Sequence, residues 1–110
     1  MVNFTKLKTK CLIANRKIKE NNLAIFTFGN VSIADRENKV IAIKPSGVPY
    51  HELKKSDIVI LSLEGEIIEG TMRPSSDTKT HLYLYNNWPK INSICHTHST
   101  YAVGWSQSLM

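Results

Sequence analysis

The stretch Ile91-Asn92-Ser93-Ile94-Cys95-His96-Thr97-His98 ends on two histidines that are separated by one residue. Its apolar and β-branched residues predict a buried strand. Side chains two positions apart on a strand project from the same face, so His96 and His98 can converge on one metal ion. Two histidines that simply end a strand would give the same pattern. The sequence upstream of this strand therefore has to be considered before a metal site can be distinguished from a simple strand end.

The composition is typical of a single globular domain spanning residues 1–110, with 42% hydrophobic and 21% charged residues. No apolar run approaches the length of a membrane span, and no signal-peptide pattern is present, which predicts a cytoplasmic protein. The two cysteines, Cys11 and Cys95, lack a metal or disulfide spacing. We expect both to be reduced, buried thiols.

The formal net charge of +5 is concentrated near the N-terminus, where residues 1–19 contain no acidic residue. Such a segment could contact a membrane or nucleic acid, or act as a transit peptide. Apolar residues at helical spacing instead favour an amphipathic helix from Thr5 to about Glu20 with a solvated basic face. We therefore expect neither a nucleic acid nor a membrane as a partner. The basic residues are Lys6, Lys8, Lys10, Arg16, Lys17 and Lys19.

Four short strands are predicted between this helix and the His96 strand. Val31–Ala34 pairs with Val40–Ile43 in one hairpin, and Ile58–Leu63 pairs with Glu66–Glu69 in another. Such short loops exclude parallel crossovers, so the sheet is expected to be mixed or antiparallel. The order of helices and strands predicts an α/β or α+β sandwich.

A second helix is predicted from Thr78 to about Asn87, with Asp77 as its N-cap. A third helix is expected to begin near Ser99, after the His96 strand. Its apolar face reaches the end of the sequence without a stop signal, which predicts an incomplete domain. On the second helix, the residues at the spacing that packs on a sheet are His81, Leu84, Tyr85 and Trp88.

Three small loops carry backbone and side-chain donors of the kind that hold a phosphate: Gly29-Asn30, Ser46-Gly47 and Ser75-Ser76. The serine pair also precedes a helix N-terminus, which favours an anion. Each loop alone is more often an ordinary turn, but their occurrence with His96 indicates a site. Asp77 either caps the helix or serves as a metal ligand or a carboxylate beside the metal.

Five segments together resemble the class II aldolase/epimerase family, in order and with matching spacing. They extend over nearly all of the chain but correspond to about the N-terminal half of such an enzyme. Within the family the resemblance is strongest to the epimerases of ribulose 5-phosphate. The segments are Phe28-Gly29-Asn30-Val31-Ser32, Ile43-Lys44-Pro45-Ser46-Gly47-Val48, Glu69-Gly70-Thr71, Pro74-Ser75-Ser76-Asp77-Thr78 and His96-Thr97-His98-Ser99.

The resemblance implies a three-layer α/β/α sandwich with a mixed, largely antiparallel central sheet, here truncated. It also implies Zn²⁺ or another divalent metal, with Asp77, His96 and His98 at the metal. The family aldolases carry Glu at the position of Asp77, so Asp favours an epimerase, and Asp77 is the one catalytic candidate in this segment. The residues implied to hold the substrate, chiefly its phosphate, are Gly29, Asn30, Ser46, Gly47, Ser75 and Ser76.

The implied activity is metal-dependent epimerisation of a phosphorylated ketopentose, L-ribulose 5-phosphate, to D-xylulose 5-phosphate by retro-aldol and aldol steps in arabinose or ascorbate catabolism. Full-length members are implied to be homotetramers with sites at subunit interfaces. Their further zinc-binding His and their acid/base Asp and Tyr have no counterpart here. The 110-residue chain is therefore expected to bind metal weakly and to turn over little or no substrate. A class II sugar-phosphate aldolase and a non-catalytic scaffold or remnant of the same fold are the alternatives.

Overall fold

A computed structural model describes residues 2–20 and 29–96 of the chain. Two helices and five strands form in this part, with two short 3₁₀ turns between the second and third strands at Tyr50–Glu52 and Lys55–Asp57. The helices and strands are α1 (Thr5–Glu20), β1 (Asn30–Asp35), β2 (Val40–Ile43), β3 (Val59–Ser62), β4 (Ile67–Glu69), α2 (Thr78–Asn87) and β5 (Ser93–His96).

The five strands form one sheet in the order β4-β3-β2-β1-β5, and every pairing among the described strands is antiparallel. Both predicted hairpins are confirmed. The first turn is closed by Asp35, whose carboxylate accepts hydrogen bonds from the Asn38 backbone N–H at 3.1 Å and side-chain amide at 2.7 Å. The sheet thus pairs strands that are neighbours in sequence and then adds β5 beside β1.

The helices cover opposite faces of the sheet, which confirms the predicted three layers. Successive residues of a strand point to opposite faces. On β2, Val40 and Ala42 therefore pack in one apolar cluster with Cys11 of α1. Ile41 and Ile43 pack in a second cluster with Tyr85 of α2. Each of these strand residues is buried, so the central strand supplies both cores.

Asn15 joins α1 to β1 through a buried set of hydrogen bonds that the apolar pattern does not predict. The side chain is fully buried. Its Nδ2 donates to the carbonyl oxygens of Cys11 at 2.7 Å and Val31 at 3.0 Å. Its Oδ1 accepts a hydrogen bond from the Val31 N–H at 2.8 Å. One amide therefore satisfies both backbone groups of a strand residue inside the core.

We expect Asn15→Ala to lower the free energy of unfolding by roughly 2–4 kcal/mol, because it leaves the Val31 N–H unpaired, leaves the Val31 carbonyl only the weak contact with the Cys11 thiol, and opens a cavity. Chemical denaturation measures this change. Lys10→Ala, on the exposed side of the same helix, is the control and should change stability by less than about 0.5 kcal/mol. An Asn15→Ala protein as stable as the control would contradict this role.

Three predictions about burial are wrong. Trp88 is 51% exposed rather than packed on the sheet, because it lies at the C-cap of α2, where the helix has already ended. β5 is half-exposed rather than buried, because it forms an edge of the described sheet. Cys95 is exposed on that strand, whereas Cys11 is buried as expected and burial raises the pKa of its thiol to about 12.

Several predictions fall outside the described residues: the end of the first helix at Asn21-Asn22, the apolar run Leu23–Phe28, His98 and the third helix. Among the described residues, no helix is long and apolar enough to cross a membrane.

Candidate metal and phosphate site

A cavity of about 270 Å³ lies where β1 begins and β5 ends. The antiparallel register pairs Asn30 with His96, so the first residue of one strand lies beside the last residue of the other. Every described residue that the sequence analysis placed at the site lines this cavity. The lining residues are Gly29, Asn30, Lys44, Pro45, Ser46, Gly47, Ser75, Ser76, Asp77 and His96.

Backbone hydrogen bonds hold the loop after β2 against the loop before α2. Pro45 forms an isolated antiparallel bridge with Pro74. The Ser46 N–H donates to the carbonyl of Arg73 at 2.8 Å, and the Ser75 N–H donates to the carbonyl of Lys44 at 3.0 Å. Two of the three predicted anion-binding loops therefore meet through their backbones rather than through side chains.

Asp77 occupies the predicted N-cap position of α2, but its side chain makes no capping hydrogen bond. Its Oδ2 instead accepts hydrogen bonds from His96 Nδ1 at 2.5 Å and from Asn30 Nδ2 at 2.8 Å. Ser75 turns the chain into α2: its Oγ accepts from the Asp77 N–H at 3.2 Å, and its carbonyl accepts from the Thr78 N–H at 3.0 Å. The carboxylate is thereby turned away from the helix and into the cavity.

The pKa of Asp77 is lowered below its usual value. Partial burial works to raise it, but the hydrogen bonds from His96 and Asn30 outweigh that effect. Because the anionic carboxylate is an acceptor only, the shared proton belongs to Nδ1 of His96. With the proton on Nδ1, the lone pair of a neutral ring lies on Nε2, the arrangement in which a carboxylate commonly orients a zinc-binding histidine.

The Asp77–His96 pair fits part of a zinc site, since imidazole nitrogen and carboxylate oxygen are donors that zinc binds. Within residues 2–20 and 29–96, no group of three or more His, Cys, Asp or Glu side chains is placed to hold a metal ion. His98, the other predicted ligand, lies outside those residues. A complete ligand set therefore needs groups beyond the described ones.

Lys44 is a cavity residue that the sequence analysis did not assign to the site. It is 2% exposed although it carries a charge. Its Nζ donates to the carbonyl of Pro45 at 3.3 Å and lies 5.0 Å from the ring centre of Tyr50. Burial lowers its pKa. The one feature of the sequence that could have indicated this buried cation is the position of the lysine directly after the fully apolar strand β2.

The side-chain amide of Asn30 is only partly used in hydrogen bonds among the described residues. The side chain is 3% exposed, and its Nδ2 is used by Ser75 Oγ at 3.1 Å and by Asp77. Its Oδ1 has no hydrogen-bond partner in the part of the chain that the structure describes. A buried acceptor left in a cavity wall suits a hydroxyl of a bound ligand.

The other two histidines in the described part of the chain, His51 and His81, do not line the cavity. His51 is exposed on a 3₁₀ turn, as its polar surroundings predict. His81 is 1% exposed on α2, and its Nδ1 lies 2.6 Å from Ser32 Oγ. Burial lowers the pKa of His81 to about 4, so its ring is neutral.

The chain is similar to curated L-ribulose-5-phosphate 4-epimerases. It is 47% identical over 105 residues to the protein named UlaF of Salmonella paratyphi B, and equally to that of Salmonella paratyphi A. These alignments cover 96% of the chain but 46% of each relative, so the chain spans about half the length of the curated relatives it matches.

Solved structures of similar fold include two aldolases. An L-fuculose 1-phosphate aldolase superposes with a TM-score of 0.84 at 38% identity, covering 93% of this chain and 48% of that one. The L-fuculose-1-phosphate aldolase of Thermus thermophilus gives a TM-score of 0.70 at 27% identity, covering 91% and 50%. Residues 10–110 match the family described as the class II aldolase and adducin N-terminal domain, and the chain belongs to that family.

Proposed function

We propose that this chain forms the metal- and phosphate-binding part of an enzyme that interconverts L-ribulose 5-phosphate and D-xylulose 5-phosphate. The observation that carries the proposal is the placement of the Asp77–His96 pair in one cavity with three loops rich in hydrogen-bond donors. The 47% identity to proteins named L-ribulose-5-phosphate 4-epimerase supports this substrate. The sister aldolases share the fold but are less similar in sequence.

The phosphate end of the substrate is assigned to the side of the cavity formed by the three loops. Backbone N–H groups near Gly29 and Gly47 and the hydroxyls of Ser46, Ser75 and Ser76 supply donors there. The cavity residue Lys44 supplies a positive charge. Holding the phosphate in this way would keep the fragments of a retro-aldol cleavage together while the aldehyde turns over.

The other side of the cavity is assigned to the metal. His96, oriented by Asp77, would bind Zn²⁺ through Nε2, together with His98 and groups outside the described residues. A divalent ion there supplies Lewis-acid activation of the ketose oxygens. Asn30 holds the carboxylate of Asp77 in place and leaves Oδ1 to accept from a substrate hydroxyl.

The Asp77–His96 pair also separates the proposal from its alternatives. A non-catalytic scaffold has no need of a carboxylate that orients a histidine into a cavity. An aldolase of this family would be expected to carry Glu at position 77, as the sequence resemblance implies. Assembly as a homotetramer remains a prediction from that resemblance, and a location in the cytoplasm remains a prediction from the hydropathy pattern of the sequence.

A chimera tests the proposal, with this chain replacing the matched segment of UlaF. We expect it to convert L-ribulose 5-phosphate to D-xylulose 5-phosphate, and to lose at least about 100-fold in kcat when His96 is changed to Ala. L-fuculose 1-phosphate, offered to the same chimera, is the control substrate and should not be cleaved. Cleavage of that compound without epimerisation would replace the proposal with the aldolase. A folded, zinc-loaded chimera without either activity would favour the scaffold.

A further inference from the structure

One buried serine of the sheet bonds both fully buried side chains of helix α2. His81 and Tyr85, one helical turn apart, are the two fully buried residues of α2. Ser32 of β1 is also fully buried, and its Oγ lies 2.6 Å from His81 Nδ1 and 2.8 Å from the Tyr85 hydroxyl. The Tyr85 hydroxyl also bonds the Ser32 carbonyl at 3.1 Å. Because all three side chains are buried, a shift of the helix would break several hydrogen bonds away from solvent.

A second polar contact between β1 and α2, from Asn30 to Asp77, lies nearer the cavity. Ser32 follows Asn30 by two residues, so both face α2, and His81 follows Asp77 by four, so both face the sheet. Two strand residues advance about 6.7 Å and four helical residues about 6 Å. The Asn30–Asp77 contact and the Ser32–His81 contact therefore stay in register along the interface.

The position of α2 along its axis decides whether Asp77 reaches His96. Because Asn30 pairs with His96, the end of β5 lies beside the contact nearer the cavity. The Asp77 Oδ2 to His96 Nδ1 distance of 2.5 Å leaves little room, since a hydrogen bond is lost when the atoms part by about 1 Å. Apolar packing is not directional, so hydrogen bonds at this interface add a restraint that depends on the position of the helix.

The far end of α2 is held separately. Arg36 donates to the carbonyl of Trp88 at 3.0 Å, and its guanidinium carbon lies 5.2 Å from the ring centre of Tyr85. Between that end and the cavity, Ser32 holds both buried side chains of α2, Tyr85 and then His81, and His81 is the nearer of the two to Asp77. The hydrogen bond of His81 therefore supports the Asp77 end of α2 from the core side, in addition to the direct hydrogen bond from Asn30.

We propose that His81 is a positioning residue: its ring ties α2 to Ser32 and so holds Asp77, one helical turn earlier, against His96. The inference rests on the proposed function, because the value of the Asp77–His96 contact is the orientation of a metal-binding ring. His81 touches neither metal nor substrate in this role. Ser32 is its anchor on β1.

The test follows the Nδ1 proton of His96 by NMR in the metal-free chain labelled with ¹⁵N-histidine. Bonded to Asp77, this proton is expected to give a sharp downfield signal that His96→Ala removes. His81→Leu, which keeps the volume but loses the bond to Ser32, should lose or broaden the signal. His81→Asn, whose amide can still reach Ser32, should restore it. Val59→Ala opens a cavity in the apolar cluster on the same face of the sheet and should keep the His96 signal.

The zinc affinity of His81→Leu should also fall about 10-fold, while that of Val59→Ala stays unchanged. A folded His81→Leu chain with an unchanged signal would overturn the inference, and so would an equal loss in Val59→Ala. Should His81→Leu not fold, Ser32→Ala, which removes one oxygen atom, is judged by the same criteria. A folded chimera of this chain with UlaF that binds no zinc would instead defeat the proposed function.

Discussion

Changing His96 to Ala should abolish zinc binding by this chain at concentrations where the wild type is loaded. Removing an outer partner of a zinc-binding histidine already weakens binding by about 10–100-fold, and removing the ligand itself should weaken it by more than about 100-fold. Asp77→Asn keeps the shape of the side chain but removes the negative charge beside His96 Nδ1. It should weaken zinc binding by about 10–100-fold. Competition with a chromophoric chelator measures both affinities.

Two variants control this experiment. Cys95→Ala changes the residue next to His96. The side chain of Cys95 is exposed and lies on the face of β5 opposite to that of His96. His51→Ala removes an exposed histidine far along the chain. Both should keep wild-type zinc affinity. Equal zinc content in the wild type, His96→Ala and His98→Ala would remove the metal site from the account.

Changing Lys44 to Met should weaken binding of phosphorylated ligands by about 10–100-fold and leave zinc affinity unchanged. A hydrogen bond to a charged group contributes about 1.5–3 kcal/mol, and about 1.4 kcal/mol corresponds to a factor of ten. Met keeps most of the side-chain volume in a site that is 2% exposed, so the cavity walls should remain in place. Calorimetric titration with glycolaldehyde phosphate measures the loss.

Lys79→Met is the matched control, since it removes the same charge from the first turn of α2 but at an exposed position that does not line the cavity. Its ligand affinity should change less than about twofold, since exposed charges interact weakly with the cavity. Equal losses in the two variants would mean that the whole-protein charge, and not a contact of Lys44, attracts the phosphate.

The helices and strands were predicted well from the sequence, because turn residues and apolar spacing within each segment determine where it begins and ends. The loops Asp35–Asn38 and Glu64-Gly65 identified both hairpins, and the apolar spacing of α1 gave its length. Burial was harder to predict, because it depends on neighbours that a single segment does not contain. The half-exposed edge strand β5 shows this, and so does Trp88, whose helical spacing continues past the end of α2.

The site was predictable as a set of residue types but not as a set of contacts. The loops around Asn30, Ser46 and Ser75 carry recognisable donors, yet only the strand order and register bring them to one cavity. The buried polar roles of Lys44 and Asn15 had no periodic signal. Asn15 is held by hydrogen bonds to the distant residue Val31, and Lys44 lies against the ring of Tyr50, and the residue pattern encodes neither contact.

Calorimetric titration of the chain with L-ribulose 5-phosphate, with and without Zn²⁺, tests the central claim that one cavity joins a metal side to a phosphate side. The account predicts binding to the zinc-loaded chain that weakens at least about 10-fold when the metal is removed or when unphosphorylated L-ribulose is used. Equal affinity for the two sugars, or affinity for the phosphorylated sugar that does not depend on zinc, would contradict it.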